Sequence, residues 1–273
     1  MTPLLHAIHH QPWLITPEAH AAMGRTAGHA GLFTQPPLPP PESEFLTIEH
    51  GVGIVSISGV LMKRPDLFAR VLLGATDMDE IADALVEARD RADVQAVFLD
   101  VDSPGGTVQG TPELAALVAD VSKAKYTYAF TDGEMCSAAY WVASQADAIY
   151  ATPSARVGSI GVLLPMLDET KAFEQAGLKV ELFAAGKFKS VGVPGVSLTE
   201  EQREWLQADI DEIYGDFKAA VLARGRRITP DVMEGQCFSG RKASYNSLTS
   251  GVVQDRATAL MKLRERHVPS RAS

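Results

Sequence analysis

The sequence predicts an α/β fold built on a layered, largely parallel sheet. Two observations carry this. From Phe45 onward, helix-like and strand-like segments alternate with short connections, the order expected of parallel βα units. Several strand-like segments are short apolar runs, such as Val94, Ala96, Val97, Phe98 and Leu99, the pattern of strands buried on both faces. A chain of 273 residues, 46% hydrophobic and 22% charged, is long enough for one large core, with or without a small appendage.

Taken in order, residues 1–44 read as an N-terminal arm. Within it Thr16 is placed to cap a short helix, with Pro17 at its first position and Glu18 in its first turn. Gln35 to Ser43 (QPPLPPPES) is too rich in proline for helix and reads as an extended linker. Residues 45–256 form the main domain. GIVSISGV is a strand or hairpin, and Ile81, Leu85 and Ala88 recur at helical spacing before the Val94–Leu99 strand. A helix from about Pro112 to Ala124 carries Leu114, Leu117, Val118 and Val121 on one face. YTYAFTD, SAAYWVASQA and AIYAT then read as strand, helix and strand. DETKAFEQAG is a helix closed by Gly177, KVELFAA reads as a strand, and a long amphipathic helix begins behind Thr199 with Glu200 to Gln202 in its first turn. Residues 257–273 read as a helical tail. No internal repeat is visible.

Composition excludes several function classes. A net charge of −9 is wrong for a general nucleic-acid binder, because neutralising phosphates needs a surplus of lysine and arginine. The clusters at Arg224 to Arg227 and Lys262 to Arg266 read as solvated helix ends. Cys136 and Cys237 make neither a disulfide framework nor a metal-ligand spacing, which favours a reducing compartment. His6, His9 and His10 have no matching carboxylate or cysteine nearby and read as a polar tail rather than metal ligands. The N-terminus lacks the basic and continuous apolar regions of a secretion signal, and no run reaches the roughly 18 apolar residues of a membrane span. The expected location is the cytoplasm, with no stable membrane anchor.

Three segments carry candidate chemistry. Ser137, in GEMCSAAYWVASQAD, lies between a strand ending near Asp132 and a helix running to Ala146. A hydroxyl at such a junction is exposed at the end of a sheet, beside the amides of a helix N-terminus. Read alone, Ser137 is more simply a plain N-cap serine, and the other segments change that balance. DVDSPGG brings Gly105 and Gly106 to the carboxyl end of another strand, where α/β sheets bind ligands, although Pro and Gly also mark ordinary turns. GKFKS supplies Lys187 and Lys189. A serine attacks an amide only if a base removes its proton and donors stabilise the resulting anion. A lysine amine holds its proton to about pH 10.4 in water, so a lysine base needs an apolar site.

DSPGG, the Ser137 segment, RVGSIGV and the lysine of GKFKS occur in the order found in one family. The chain resembles the signal-peptide-peptidase type serine–lysine peptidases, in the branch that includes phage capsid-assembly (head maturation) proteases. The similarity spans roughly Val52 to Asp255, and GQCFSGRKASYNSLTSGVVQD resembles the family's closing stretch. The resemblance implies a crotonase-like, Clp-protease-like fold, ring-shaped homo-oligomers and no cofactor. It makes Ser137 the nucleophile, Lys189 the general base and Ser159 a residue that orients the lysine amine. Oxyanion donors then come from Gly105 or Gly106 and from the N–H of Ala138. The residues alone leave Lys187 and Lys189 open, and the family spacing selects Lys189. Cys136 falls one position out of register and reads as a small buried side chain.

The implied substrate is a protein or peptide. The absence of an anchoring helix and the long N-terminal arm favour the phage-type branch, whose partners are scaffold, capsid or portal proteins, in a host cytoplasm or procapsid. Three alternatives stay open: a cytoplasmic peptidase degrading signal-peptide remnants, a crotonase-like enzyme acting on acyl-thioesters, and a non-catalytic capsid scaffold component of the same fold. Acyl-thioester hydratases rely on paired acidic catalysts, and no convincing pair stands near the glycines.

Overall fold

A computed structural model of the chain describes residues 8–29, 45–225 and 227–268. The proline-rich linker and His6 lie outside the described residues. Along the chain the elements are β1 (Trp13–Ile15), α1 (Pro17–His29), β2 (Leu46–Glu49), β3 (Val52–Met62), α2 (Leu67–Leu73), β4 (Ala75–Asp77), α3 (Met78–Asp90), β5 (Ala96–Thr107) and α4 (Thr111–Ala124). They continue with β6 (Tyr126–Thr131), β7 (Glu134–Cys136), α5 (Ala138–Ala143), β8 (Ala148–Ala151), β9 (Arg156–Gly158), α6 (Thr170–Gln175) and α7 (Glu200–Ala223). Last come β10 (Cys237–Ser239), α8 (Gly240–Tyr245), β11 (Gly251–Val252) and α9 (Arg256–His267).

The main sheet is parallel through β3, β5, β6, β8 and β11 in that order. β4 adds to it in parallel beyond β3, and β2 forms an antiparallel hairpin with β3. β5 explains the shape of the whole molecule. Its first half lies between β3 and β6, and its far end pairs in parallel with β7 through Ser103 and Met135. β7 continues the second sheet to β9 in parallel, and β10 closes it in antiparallel. One strand thus belongs to two sheets, and the residues where it passes between them are those of the SPGG segment.

The apolar run that predicts β5 is explained by burial on both faces. Successive side chains of a strand point to opposite sides. Val97, Leu99 and Val101 enter a core shared with α3, α4 and α5, while Ala96 and Phe98 enter a second cluster with Ala259, Leu260 and Leu263 of α9. α3 starts where the Asp77 carboxylate accepts the Asp79 N–H at 3.0 Å, and it buries Met78, Ile81, Ala84, Leu85 and Ala88. α1 begins at Pro17, with the Thr16 hydroxyl accepting the Ala19 N–H at 3.3 Å.

α7 opens with a reciprocal capping box between Thr199 and Gln202. Its 24 residues make a rod of about 36 Å. Its C-terminal half is seated on the core: Phe217 stacks on Trp141 at 4.7 Å, and Val221 is fully buried. In its first turn the buried Gln202 amide donates to the Lys187 carbonyl at 2.6 Å and to Ser190 Oγ at 2.8 Å, while Trp205 is 48% exposed.

Two local expectations differ from the structure. Lys179 to Ala185 is irregular rather than a strand, with Phe183 92% exposed. None of its residues pairs with a strand of the sheet. The SPGG glycines are also not a turn that ends a strand, because β5 continues through them to Thr107.

Candidate active site

Ser137 sits on a two-strand elbow. The chain leaves β6 at Thr131, turns at Asp132 and Gly133, and forms β7 before α5 begins. The turn is fixed by Asp102, whose carboxylate accepts the Glu134 N–H at 2.9 Å. A Cβ on Gly133 would stand 2.2 Å from that carboxylate, so a larger residue here would have to push Asp102 out of its hydrogen bond. Sequence reading ran strand directly into helix and missed β7, which is three residues long and pairs only with β5 and β9.

Ser137 itself has φ +53° and ψ −119°, a backbone conformation that costs a non-glycine residue about 1–3 kcal/mol. It occupies the N-cap position of α5, yet its hydroxyl makes no capping hydrogen bond. The N-cap reading therefore fails. The nearest acceptor for Oγ is the Gly161 carbonyl at 3.5 Å, a long contact that leaves the hydroxyl poorly engaged. A strained, uncommitted serine between a strand and a helix is the arrangement of a nucleophile elbow. Ala138, the first residue of the helix, contributes an amide that the helix itself does not use.

Ser159 is brought alongside. Cys136 and Gly158 are directly paired on β7 and β9, and the Ser137 N–H donates to the Gly158 carbonyl at 2.8 Å, so the serines that follow them are neighbours. Ser159 has φ +53° as well. Cys136 and Cys237 lie on either side of Gly158, Sγ to Sγ 3.8 Å, reaching across a residue without a side chain. The Cys136 thiol is pushed up by its hydrogen bond to Cys237 and by burial. Cys237 is held below the ordinary thiol range, chiefly by that same hydrogen bond. Cys136 is fully buried, as a small core residue would be.

The two glycines of SPGG are packed from opposite sides. A Cβ on Gly106 would stand 1.8 Å from the Leu61 carbonyl of β3. One on Gly105, whose φ is +114°, would stand 2.1 Å from the Leu14 carbonyl of β1 and 2.9 Å from Ser137 Cβ. The Gly105 N–H donates to Ser103 Oγ at 3.2 Å. Gly105 is thus the glycine that touches the serine.

Lysine is not part of this cluster. Lys189 is exposed on the irregular stretch before α7, its backbone N–H bonded to Gly186 at 3.1 Å. Lys187 makes a surface ion pair with Glu201 at 2.7 Å. The structure brings together Ser137, Ser159, Gly105, Gly106 and Ala138, and leaves Lys187 and Lys189 apart from them. Among the described residues no cluster of His, Cys, Asp or Glu is arranged to hold a metal ion, and no helix is long and apolar enough to cross a membrane.

The chain thus places a strained, buried serine beside the carboxyl ends of parallel strands. Residues 119–266 match Peptidase family S49, and the chain belongs to that family. It is 35% identical over 176 residues to a putative protease of Methanocaldococcus jannaschii, covering 63% of this chain and 56% of that protein. It is 28% identical over 217 residues to the capsid assembly protease C of Escherichia phage lambda, covering 78% and 49%. A putative signal peptide peptidase of Enterococcus faecium is 27% identical over 176 residues, covering 62% and 51%. The chain therefore spans about half the length of these relatives. Among solved structures, an enoyl-CoA hydratase/isomerase family member aligns over 83% of this chain and 77% of its own at 18% identity, with a TM-score of 0.44. The fold description rests on the strand pairing above.

Proposed function

We propose that the chain is a serine endopeptidase whose nucleophile is Ser137 and whose base is Lys189. The observation that carries this is the Ser137 elbow, where strain is maintained and the hydroxyl has no structural task. In the reaction, Oγ attacks the peptide carbonyl carbon and its proton passes to the neutral Lys189 amine. That proton then goes to the leaving nitrogen as the C–N bond breaks. Water hydrolyses the resulting ester, releasing the acid and restoring Ser137. The Ala138 amide and the glycine edge at Gly105 and Gly106 are the donors for the transient oxyanion. Ser159 steadies the amine once it arrives.

Lys189 comes from a second copy of the chain in this reading. Support comes from the exposure of its surroundings: Leu178, Leu182 and Phe183 are all exposed, and Phe188 packs against the half-exposed Trp205 of α7. A projecting apolar segment carrying the missing base suits a head-to-tail assembly, in which each copy supplies its lysine to the next. As substrates we propose scaffold and capsid-associated proteins of an assembling phage head. The lambda capsid assembly protease supports this through its similarity over 78% of the chain.

The test is cleavage of an unfolded protein by wild type, Ser137→Ala, Lys189→Ala and Lys187→Ala chains, followed by intact mass. Loss of cleavage in the first two variants, and its retention in the third, is expected. Cleavage by Lys189→Ala but not by Lys187→Ala moves the base to Lys187. Equal behaviour of wild type and Ser137→Ala contradicts the peptidase reading.

A further inference from the structure

Ser137 is 0% exposed, and a nucleophile that no peptide reaches performs no chemistry. Part of what covers it is the chain's own N-terminal strand. β1 runs antiparallel to the end of β5, with Ile15 opposite Gly105, Leu14 opposite Gly106 and Trp13 opposite Thr107. On its other side Trp13 and Leu163 exchange both main-chain hydrogen bonds, at 2.8 and 3.0 Å. The Thr16 N–H donates to the Pro104 carbonyl at 3.0 Å. β1 is therefore an inserted strand, bonded on one side to the glycine edge and on the other to the chain just past Gly161, whose carbonyl is the Ser137 hydroxyl's nearest acceptor. The Leu14 carbonyl and Ser137 Cβ crowd the same point beside Gly105.

An extended peptide added to a sheet takes its affinity from main-chain bonds and its specificity from pockets for alternate side chains. β1 already has both. Trp13 and Ile15 enter an apolar cluster with Met23, Ala27 and Val60, and Leu14 points the other way into the main core. The strand also belongs to a self-contained unit. Trp13 Nε1 donates to the Ile8 carbonyl at 2.9 Å, and the His20 ring engages the same carbonyl at 3.0 Å, tying β1 to α1.

We propose that Trp13–Ile15 is a built-in pseudosubstrate, filling the slot that an extended peptide must enter to reach Ser137, so that the intact chain cleaves slowly until this segment is displaced. The inference rests on the reading of Ser137 as nucleophile. It also assigns the slot a preference for an extended peptide with a leucine-sized apolar side chain opposite Gly106.

The test measures binding and cleavage separately. In full-length chains carrying Ser137→Ala, a fluorescein-labelled peptide with the sequence of residues 11–18 is titrated by fluorescence polarisation. Three forms are compared: intact β1, Leu14→Asp, and a chain with a protease site inserted between residues 35 and 43 and then cut. Cutting turns β1 and α1 into a separate piece that can leave the slot, and this form serves if Leu14→Asp does not fold, which circular dichroism decides. Peptide binding at least tenfold tighter in the opened forms is expected. Equal binding by all folded forms, including no binding by any, overturns the pseudosubstrate. With Ser137 restored, opening is expected to raise cleavage of an unfolded protein at least tenfold. Tighter peptide binding without cleavage by any form leaves the pseudosubstrate standing and removes Ser137 as nucleophile. Ser137-dependent cleavage with binding unchanged by opening does the reverse.

Discussion

Equimolar mixing of Ser137→Ala and Lys189→Ala chains is expected to restore cleavage that neither performs alone. Each variant by itself should lose about 10⁴-fold or more in kcat, the scale seen when a nucleophile or its base is removed from a serine hydrolase. In a mixed head-to-tail assembly, half the copies keep Ser137, and half of those receive an intact lysine from a neighbour, so activity near about a quarter of wild type should return. The reason is geometric. Lys189 stands exposed, with no contact to the Ser137 and Ser159 pair, so its own chain does not complete the dyad in the described arrangement. Persistent inactivity of the mixture, from chains shown to exchange subunits, places both groups within one copy and requires the segment before α7 to fold back over the serine.

Gly106→Ala is expected to be the most damaging small substitution in the site. Its φ is ordinary, so backbone strain is not the cause. The added methyl would lie 1.8 Å from the Leu61 carbonyl, and that carbonyl belongs to β3, the strand beside β5 in the main sheet. Neither partner is a flexible side chain that can swing aside, so two central strands must separate. A loss of about 3 kcal/mol or more in denaturant unfolding is expected, at the upper end for an overpacked core. An alanine tolerated within 1 kcal/mol, as a volume-neutral change would be, would mean that this edge is looser than described.

Much of the fold was legible because its signals are local. β5 shows as an unbroken apolar run since both its faces are buried, and α7 announces its start through Thr199 and Gln202. What escaped depends on distant partners. β7, β9 and β10 are three residues each and are strands only because they lie against one another. β1 was hidden in a segment read as an arm, although Trp13, Leu14 and Ile15 form an apolar triplet immediately before a capped helix. Lys179 to Ala185 misled in the opposite sense: its alternation suits a strand, but no sheet edge is available to it.

The site divides along the same line. Ser137 and the glycines were legible as candidates because each stands at the end of a strand-like run, whereas Ser159 came only from the family resemblance. Burial of Ser137 was not readable, since part of its cover is a strand more than a hundred residues earlier in the chain. The exposure of Lys189 was equally invisible, because a lysine base needs an apolar site and the described single chain leaves this one exposed.

The account stands or falls on Ser137 as the atom that forms the covalent bond. The most direct measurement is acylation by an active ester of a short apolar peptide, on wild type and on the opened chain, followed by digestion and mass mapping. One acyl group on the peptide containing Ser137, formed faster in the opened chain and absent in Ser137→Ala, is the predicted result. An acyl group found on Cys237 or Cys136 while Ser137 stays unmodified would contradict it.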